Sequence, residues 1–320
     1  MNQNNNLMGV SLIKHDLDIP KINGNETILE SLEKASIIHK MVRKNIIHMI
    51  KPGVKIYDIS RNINNMIRTF TNNTGINGGI AFPPTVSLTN VIAHHSPTPN
   101  DRSILFDDNV KLDIGVHVNG WSIDSAFSCY FNPDYYILHK ATKEALNYAI
   151  MNIGIDAYIN DISKIITEIV ESYEIIYKGN IEHLKVVKNL TGHKIEQYNL
   201  HAKPYVYNSP MILNLSRFIE GVYAIEPFVS ILSDNYKNGD ARNNYRITDT
   251  SHPLFKIFNN MIFSDYHLIH YKITNFDMND PRIMIYPDLI GNKNDMIAQY
   301  EHTIYIDEMK KINLSQFDDY

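Results

Sequence analysis

DNVKLDIGVHVNGWSIDSAFSCYFNP, residues 108–133, decides how this chain folds. Asn119-Gly120 divides it into two halves of strand character. Both residues tolerate positive φ, and Asn-Gly between apolar runs is the strongest short hairpin signal. A two-residue turn there sets Val118 opposite Trp121, Gly115 opposite Asp124 and Asp113 opposite Ala126. Opposed residues share a face, and so do residues two apart on one strand. Asp113 and Asp124 thus become diagonal neighbours, their Cβ atoms ~7–8 Å apart or less. Val110, Leu112, Ile114, Ile123 and Phe127 surround them, while Gly115 and Ala126 leave room on the shared face. Two like charges converging in an apolar sheet demand a proton or a cation.

Two more carboxylates favour the cation. Glu226 in GVYAIEPF and Glu301 in AQYEHTIYI each stand alone in a strand-like apolar run. Roughly four positive charges are needed to balance four such groups, and two divalent ions supply them. Two-metal sites hold their ions ~3.5–4 Å apart and activate a shared water. His193, read as part of a Thr191-Gly192-His193 turn, can add one nitrogen ligand. An oxygen-rich set suits manganese, iron(II) or cobalt, with zinc also compatible.

Outward from the hairpin, apolar residues recur at helical spacing over about 26–50, where Asn25 can cap and Pro52-Gly53 stops the helix. Further helices are predicted from Asp58 to about Phe70, over about 137–151, and over 162–173 with Asp161 as cap. Strand-like runs cover 110–118, 121–131, 184–190, 221–230 and 301–306. Long helices mixed with hairpins argue for a layered α+β domain rather than a doubly wound sheet. Residues 1–24 read as an arm and 25–320 as one domain. About 232–285 reads as an insertion, polar at its start, with a helix-like piece from Leu254 to Phe263.

Composition excludes several classes. The net charge is −5, so no global basic field draws the chain to nucleic acid or acidic lipid. The N-terminus lacks a secretory pattern, and no apolar run approaches the ~20 residues that span a bilayer. The single cysteine, Cys129, cannot form an internal disulfide, which fits a reducing, cytoplasmic setting. No P-loop, dinucleotide fingerprint, nucleophile elbow or zincin helix is present. A monomer is expected, since nothing in the sequence suggests an obligate interface.

Six motifs run in order along the chain: IKPG at 50–53, NGGIAFPPTVSLTNVIAHHSP at 77–97, KLDIGVHVNGWSIDSAFSCYFNP at 111–133, LTGHKIEQYNLH at 190–201, VYAIEPF at 222–228 and IYPDLIGNKNDMIAQYEHTI at 285–304. Together they resemble the type 2 methionine aminopeptidases, metallopeptidases of the pita-bread fold. The resemblance implies removal of N-terminal methionine ahead of a small second residue, from peptides or nascent proteins, by a water that two metals activate. It implies Asp113, Asp124, His193, Glu226 and Glu301 as metal ligands, with Glu226 also the candidate proton shuttle. His94 and His201 are implied to contact the scissile peptide, and Phe82, Leu200 and Tyr286 to line the methionine pocket. His95 reads as a surface or packing residue. The 75 residues from Glu226 to Glu301 leave room for the type 2 helical insertion. Two departures stand out: Asn244 where a pocket histidine is expected, and Pro227 where threonine is usual. A ribosome-docking extension of the long eukaryotic kind is absent from this sequence, and ribosome association stays open. The alternatives are an Xaa-Pro-type pita-bread peptidase and a catalytically weak RNA- or ribosome-binding relative.

Overall fold

A computed structural model of the chain describes residues 18–72, 74–107, 109–247 and 280–317. The helix-like piece expected over 254–263 and most of the N-terminal arm lie outside the described residues. Strands Asn109–Val118 and Trp121–Tyr130 form the hairpin with the expected register: Val118 opposite Trp121, Gly115 opposite Asp124, Asp113 opposite Ala126. Asn119 and Gly120 both take positive φ, 49° and 79°, as a tight turn of this hand requires. Strand Gly78–Leu88 pairs with the outer edge of Asn109–Val118 and completes a three-stranded sheet. Sequence reading did not foresee that strand. Pro83-Pro84 argues against strand character, because proline cannot donate to a ladder. Register shifts between Ile80 and Phe82, and between Phe82 and Thr85, bulge the strand and take up the prolines.

Among the described residues four helices back the sheets: α1 (Ile28–Ile46), α2 (Ile56–Phe70), α3 (Tyr136–Asn152) and α4 (Ile159–Glu171). Helix α1 packs on the hairpin and α2 on strand Gly78–Leu88. Three predicted caps are corrected. Thr27, not Asn25, caps α1, in a reciprocal capping box with Glu30. Helices α2 and α4 start before Asp58 and Asp161, which fall in the first turns and pair with Arg61 at 2.8 Å and Lys164 at 3.3 Å. Burial explains the earlier starts. Ile56 and Ile159, the first residue of each helix, are fully packed into the core, and that outweighs the capping preference of the acids.

A five-stranded antiparallel sheet runs in the order Lys311–Asn313, His302–Ile306, Gly221–Ile225, Thr191–Glu196, Asn199–Tyr207. Beside it Ile297–Gln299, Phe228–Ser230 and Lys185–Val186 form a three-stranded sheet. The run expected as one strand over 221–230 is therefore two, broken at Glu226-Pro227. Its partner run breaks likewise at Tyr300-Glu301. Both chains turn the same corner side by side, passing from one sheet to the other. The result is the α+β architecture implied by the sequence, open antiparallel sheets flanked by helices. Past the corner, Lys237–Asn238 pairs with Leu289–Ile290, and Asn244–Ile247 with Ile283–Tyr286. Among the described residues no helix is long and apolar enough to cross a membrane.

Candidate active site

The hairpin and the double corner meet. One carboxylate atom each from Asp113, Asp124 and Glu301 lie within 4.8 Å of one another. His193 Nε2 is 3.5 Å from Asp124 Oδ2 and 3.5 Å from Glu226 Oε1. Asp113 and Asp124 come from the hairpin face, Glu226 and Glu301 from the corners. Hydrogen bonds stitch these parts together. Thr303 Oγ1 accepts from the Asp124 amide at 2.8 Å and donates to the Asp124 carbonyl at 2.6 Å. Ser125 Oγ donates to the Glu301 carbonyl at 2.6 Å, and the Glu301 amide donates to the Ala126 carbonyl at 2.9 Å. Thr303 and Ser125 were missed from sequence, because their role exists only once the corner reaches the hairpin.

His193 is not in a turn. It lies within strand Thr191–Glu196, opposite Ala224. Gly192 is required there by close backbone approach: a Cβ would stand 2.3 Å from the Ala224 carbonyl oxygen. The glycine that suggested a turn instead lets two central strands close up.

Burial dominates the electrostatics. It raises Asp113 to about 7. Burial also lifts Asp124, Glu226 and Glu301 well above the carboxylate range, with help from the charges of their neighbours. Burial pushes His193 down to about 4, so its imidazole is neutral and its lone pair available. Asp113 Oδ1 is buried without a hydrogen-bond partner. Clustered carboxylates, one neutral imidazole and an orphaned oxygen are what a divalent metal satisfies.

Around this cluster opens a cleft of about 520 Å³. His94, His201, Phe82, Leu200 and Tyr286 all line it, as do Asp113, Asp124, His193, Glu226 and Asn244. His94 sits at φ 68°, an unusual backbone conformation for a residue other than glycine. Its Nδ1 donates to the Pro287 carbonyl at 3.2 Å, which leaves Nε2 as the acceptor. Asn244 holds the His94 main chain: its amide donates to the His94 carbonyl at 2.5 Å and accepts from Ser96 Oγ at 2.8 Å. The His201 ring stands 4.4 Å from His193 and 5.9 Å from Tyr286, centroid to centroid. Burial lowers both His94 and His201, so both are neutral. The space above Gly115 is filled by Phe82: a Cβ at Gly115 would lie 2.2 Å from its ring.

His95 is more than a packing residue. Its Nδ1 lies 2.7 Å from Asp288 and its Nε2 2.9 Å from Asp101. Burial alone would lower its pKa, yet the two carboxylates raise it above 6.5. Asp101, six residues on, was a possible signal, but nothing local pointed to Asp288.

The sequence pattern of metallopeptidase family M24 matches residues 30–308. The chain belongs to that family. It is 33% identical to methionine aminopeptidase 2-1 of Penicillium rubens, over 92% of this chain and 70% of that one. Methionine aminopeptidase 2 of Komagataella phaffii is 35% identical, over 90% and 69%. Among solved structures, a methionine aminopeptidase from Thermotoga maritima superposes with a TM-score of 0.66 at 18% identity, covering 93% of this chain and all of that one. A thermophilic Arx1 superposes at 0.72 with 16% identity, covering 92% and 91%. At such identities the superpositions speak for the pita-bread fold alone. Family and relatives together make this M24 member a metallo-aminopeptidase of the type 2 methionine aminopeptidase kind, as its motifs implied.

Proposed function

We propose that the chain removes N-terminal methionine from peptides and nascent proteins whose second residue is small. One observation carries the reading. Asp113, Asp124, His193 and Glu226 line a cleft whose walls include Phe82, Leu200 and Tyr286, and Glu301 lies against the two aspartates. The five would hold two divalent cations, of manganese, iron(II), cobalt or zinc. When bound, such a pair supplies a water acidic enough to attack at neutral pH and a counter-charge for the oxyanion.

The protein's own groups do the rest. Glu226 takes the proton of the attacking water and returns it to the leaving amine. His201, neutral through burial, offers an N–H to the developing oxyanion. His94 is fixed by Pro287 with Nε2 as acceptor, ready for the N–H of the scissile peptide. Phe82, Leu200 and Tyr286 give an apolar slot that a flexible thioether fills well.

The test compares metal-loaded protein on Met-Ala-Ser and on an Xaa-Pro dipeptide. Methionine release with little action on the dipeptide is expected. Preference for the dipeptide would move the chain to the prolidase kind. RNA binding without turnover of either would make it a binding module.

A further inference from the structure

The strand pair Asn244–Ile247 and Ile283–Tyr286 forms one wall of the cleft. Its register sets Asn244 opposite Tyr286 and Arg246 opposite Met284. Opposed residues share a face, and residues two apart on a strand share it too. Asn244 and Tyr286 reach the inner cleft. Arg246 and Met284 occupy the next rung, ~7 Å further along the ribbon. There they line the wider mouth together with Thr191, Tyr205 and Asn238.

Arg246 is held but not neutralised. Its Nη2 donates to Asn199 Oδ1 at 3.2 Å, while its Nε is buried and makes no hydrogen bond. Among the described residues it forms no ion pair with a carboxylate. A guanidinium stays charged at any working pH, and its planar fork matches a carboxylate bidentately. Glu226 lines the mouth as well as the inner cleft, and Arg246 is the one lysine or arginine among the described residues that line the mouth, so it supplies the mouth's fixed positive charge.

We propose that Arg246 is a specificity residue that binds a carboxylate carried by the substrate beyond the scissile bond. The inference rests on the peptidase reading above. A step of ~7 Å equals about two residues of extended peptide. That points to an acidic third residue or to the free C-terminus of a tripeptide.

The experiment measures kcat/KM on metal-loaded protein for two pairs of substrates. Met-Ala-Ser is compared with its amide, Met-Ala-Asp amide with Met-Ala-Asn amide, and Met-Ala-Ser amide serves as the neutral reference. The wild type is expected to favour at least one carboxylate peptide by about tenfold, as for a charged hydrogen bond at a partly exposed site. Which pair shows the preference tells side chain from C-terminus. The ratio should fall towards one in Arg246→Gln, survive in part in Arg246→Lys, and shrink with added salt. Because the ratio is read within each variant, a general loss of activity leaves it unmoved. A wild-type ratio near one, or an unchanged ratio in Arg246→Gln, overturns the proposal. Should Arg246→Gln not fold, the wild-type ratio, its salt dependence and Arg246→Lys still decide. Cleavage of the neutral peptide without preference sinks Arg246 alone, whereas no cleavage of any peptide sinks the peptidase reading.

Discussion

At Asp113 a buried oxygen without a hydrogen-bond partner faces a second aspartate across the hairpin, and burial has raised its pKa to about 7. Asp113→Asn keeps the shape and removes the charge. Bound metal, counted by elemental analysis, is expected to fall and methionine release to be lost. Full turnover in the variant would remove Asp113 from the metal shell. His201→Ala is expected to lower kcat by ~10²–10³, the usual loss for one transition-state donor, with metal content unchanged. A change confined to KM would contradict that role. At this scale the sequence was legible where local chemistry dictates position. Asn119-Gly120 fixes the register, and the register places Asp113 and Asp124 on one face. It was misleading at His193, because a glycine next to a histidine reads as a turn. Only the opposing strand reveals the close approach that Gly192 serves. His95 was opaque because Asp288 comes from 193 residues away.

At the scale of elements, the hairpin works as a platform for the pocket wall as well as for the acids. Gly115→Ala would drive a methyl group into the Phe82 ring. Overpacking of this kind costs about 1–3 kcal/mol, and here the displaced ring belongs to the cleft. A lower melting temperature and a raised KM for methionyl peptides are expected, and neither would appear if the ring had room to shift. The His95 clamp joins the loop after strand Val91–Ala93 to Asp288. Its folded pKa lies above 6.5, so its stabilisation is complete below about 6.5 and is lost as pH rises through the folded value. Difference melting curves should show the wild type losing stability in that window relative to His95→Gln. Parallel curves would mean that His95 carries no proton between its two acids. Elements with regular periodicity, such as α1 and the hairpin, were readable from apolar spacing. Strand Gly78–Leu88 was not, since its bulges hide behind two prolines. The Glu226-Pro227 and Tyr300-Glu301 corners looked like continuous strand, since a corner between two buried sheets keeps the same apolar composition.

For the molecule as a whole, the site lies where the three-stranded hairpin sheet meets the paired corners of two others. Thr303 and Ser125 bridge that junction. Asp113, Asp124, Glu226 and Glu301 all have raised pKa values, so they burden the metal-free protein as pH rises. For Asp113 the stability is present below its ordinary 3.8 and is lost as pH rises through about 7. A cation bound only by the folded state reverses that loss by mass action. The α+β class and the acids were visible in the sequence because each depends on local pattern. The meeting of three sheets was not, because it depends on contacts far apart along the chain. The most direct measurement strips the protein with chelator and returns manganese, iron(II), cobalt or zinc one at a time. Bound metal per chain and methionine released from Met-Ala-Ser are followed together. Two ions per chain with restored cleavage are expected for at least one metal. Two ions bound with no release under any metal, or release indifferent to the chelator, would contradict a metal-dependent aminopeptidase.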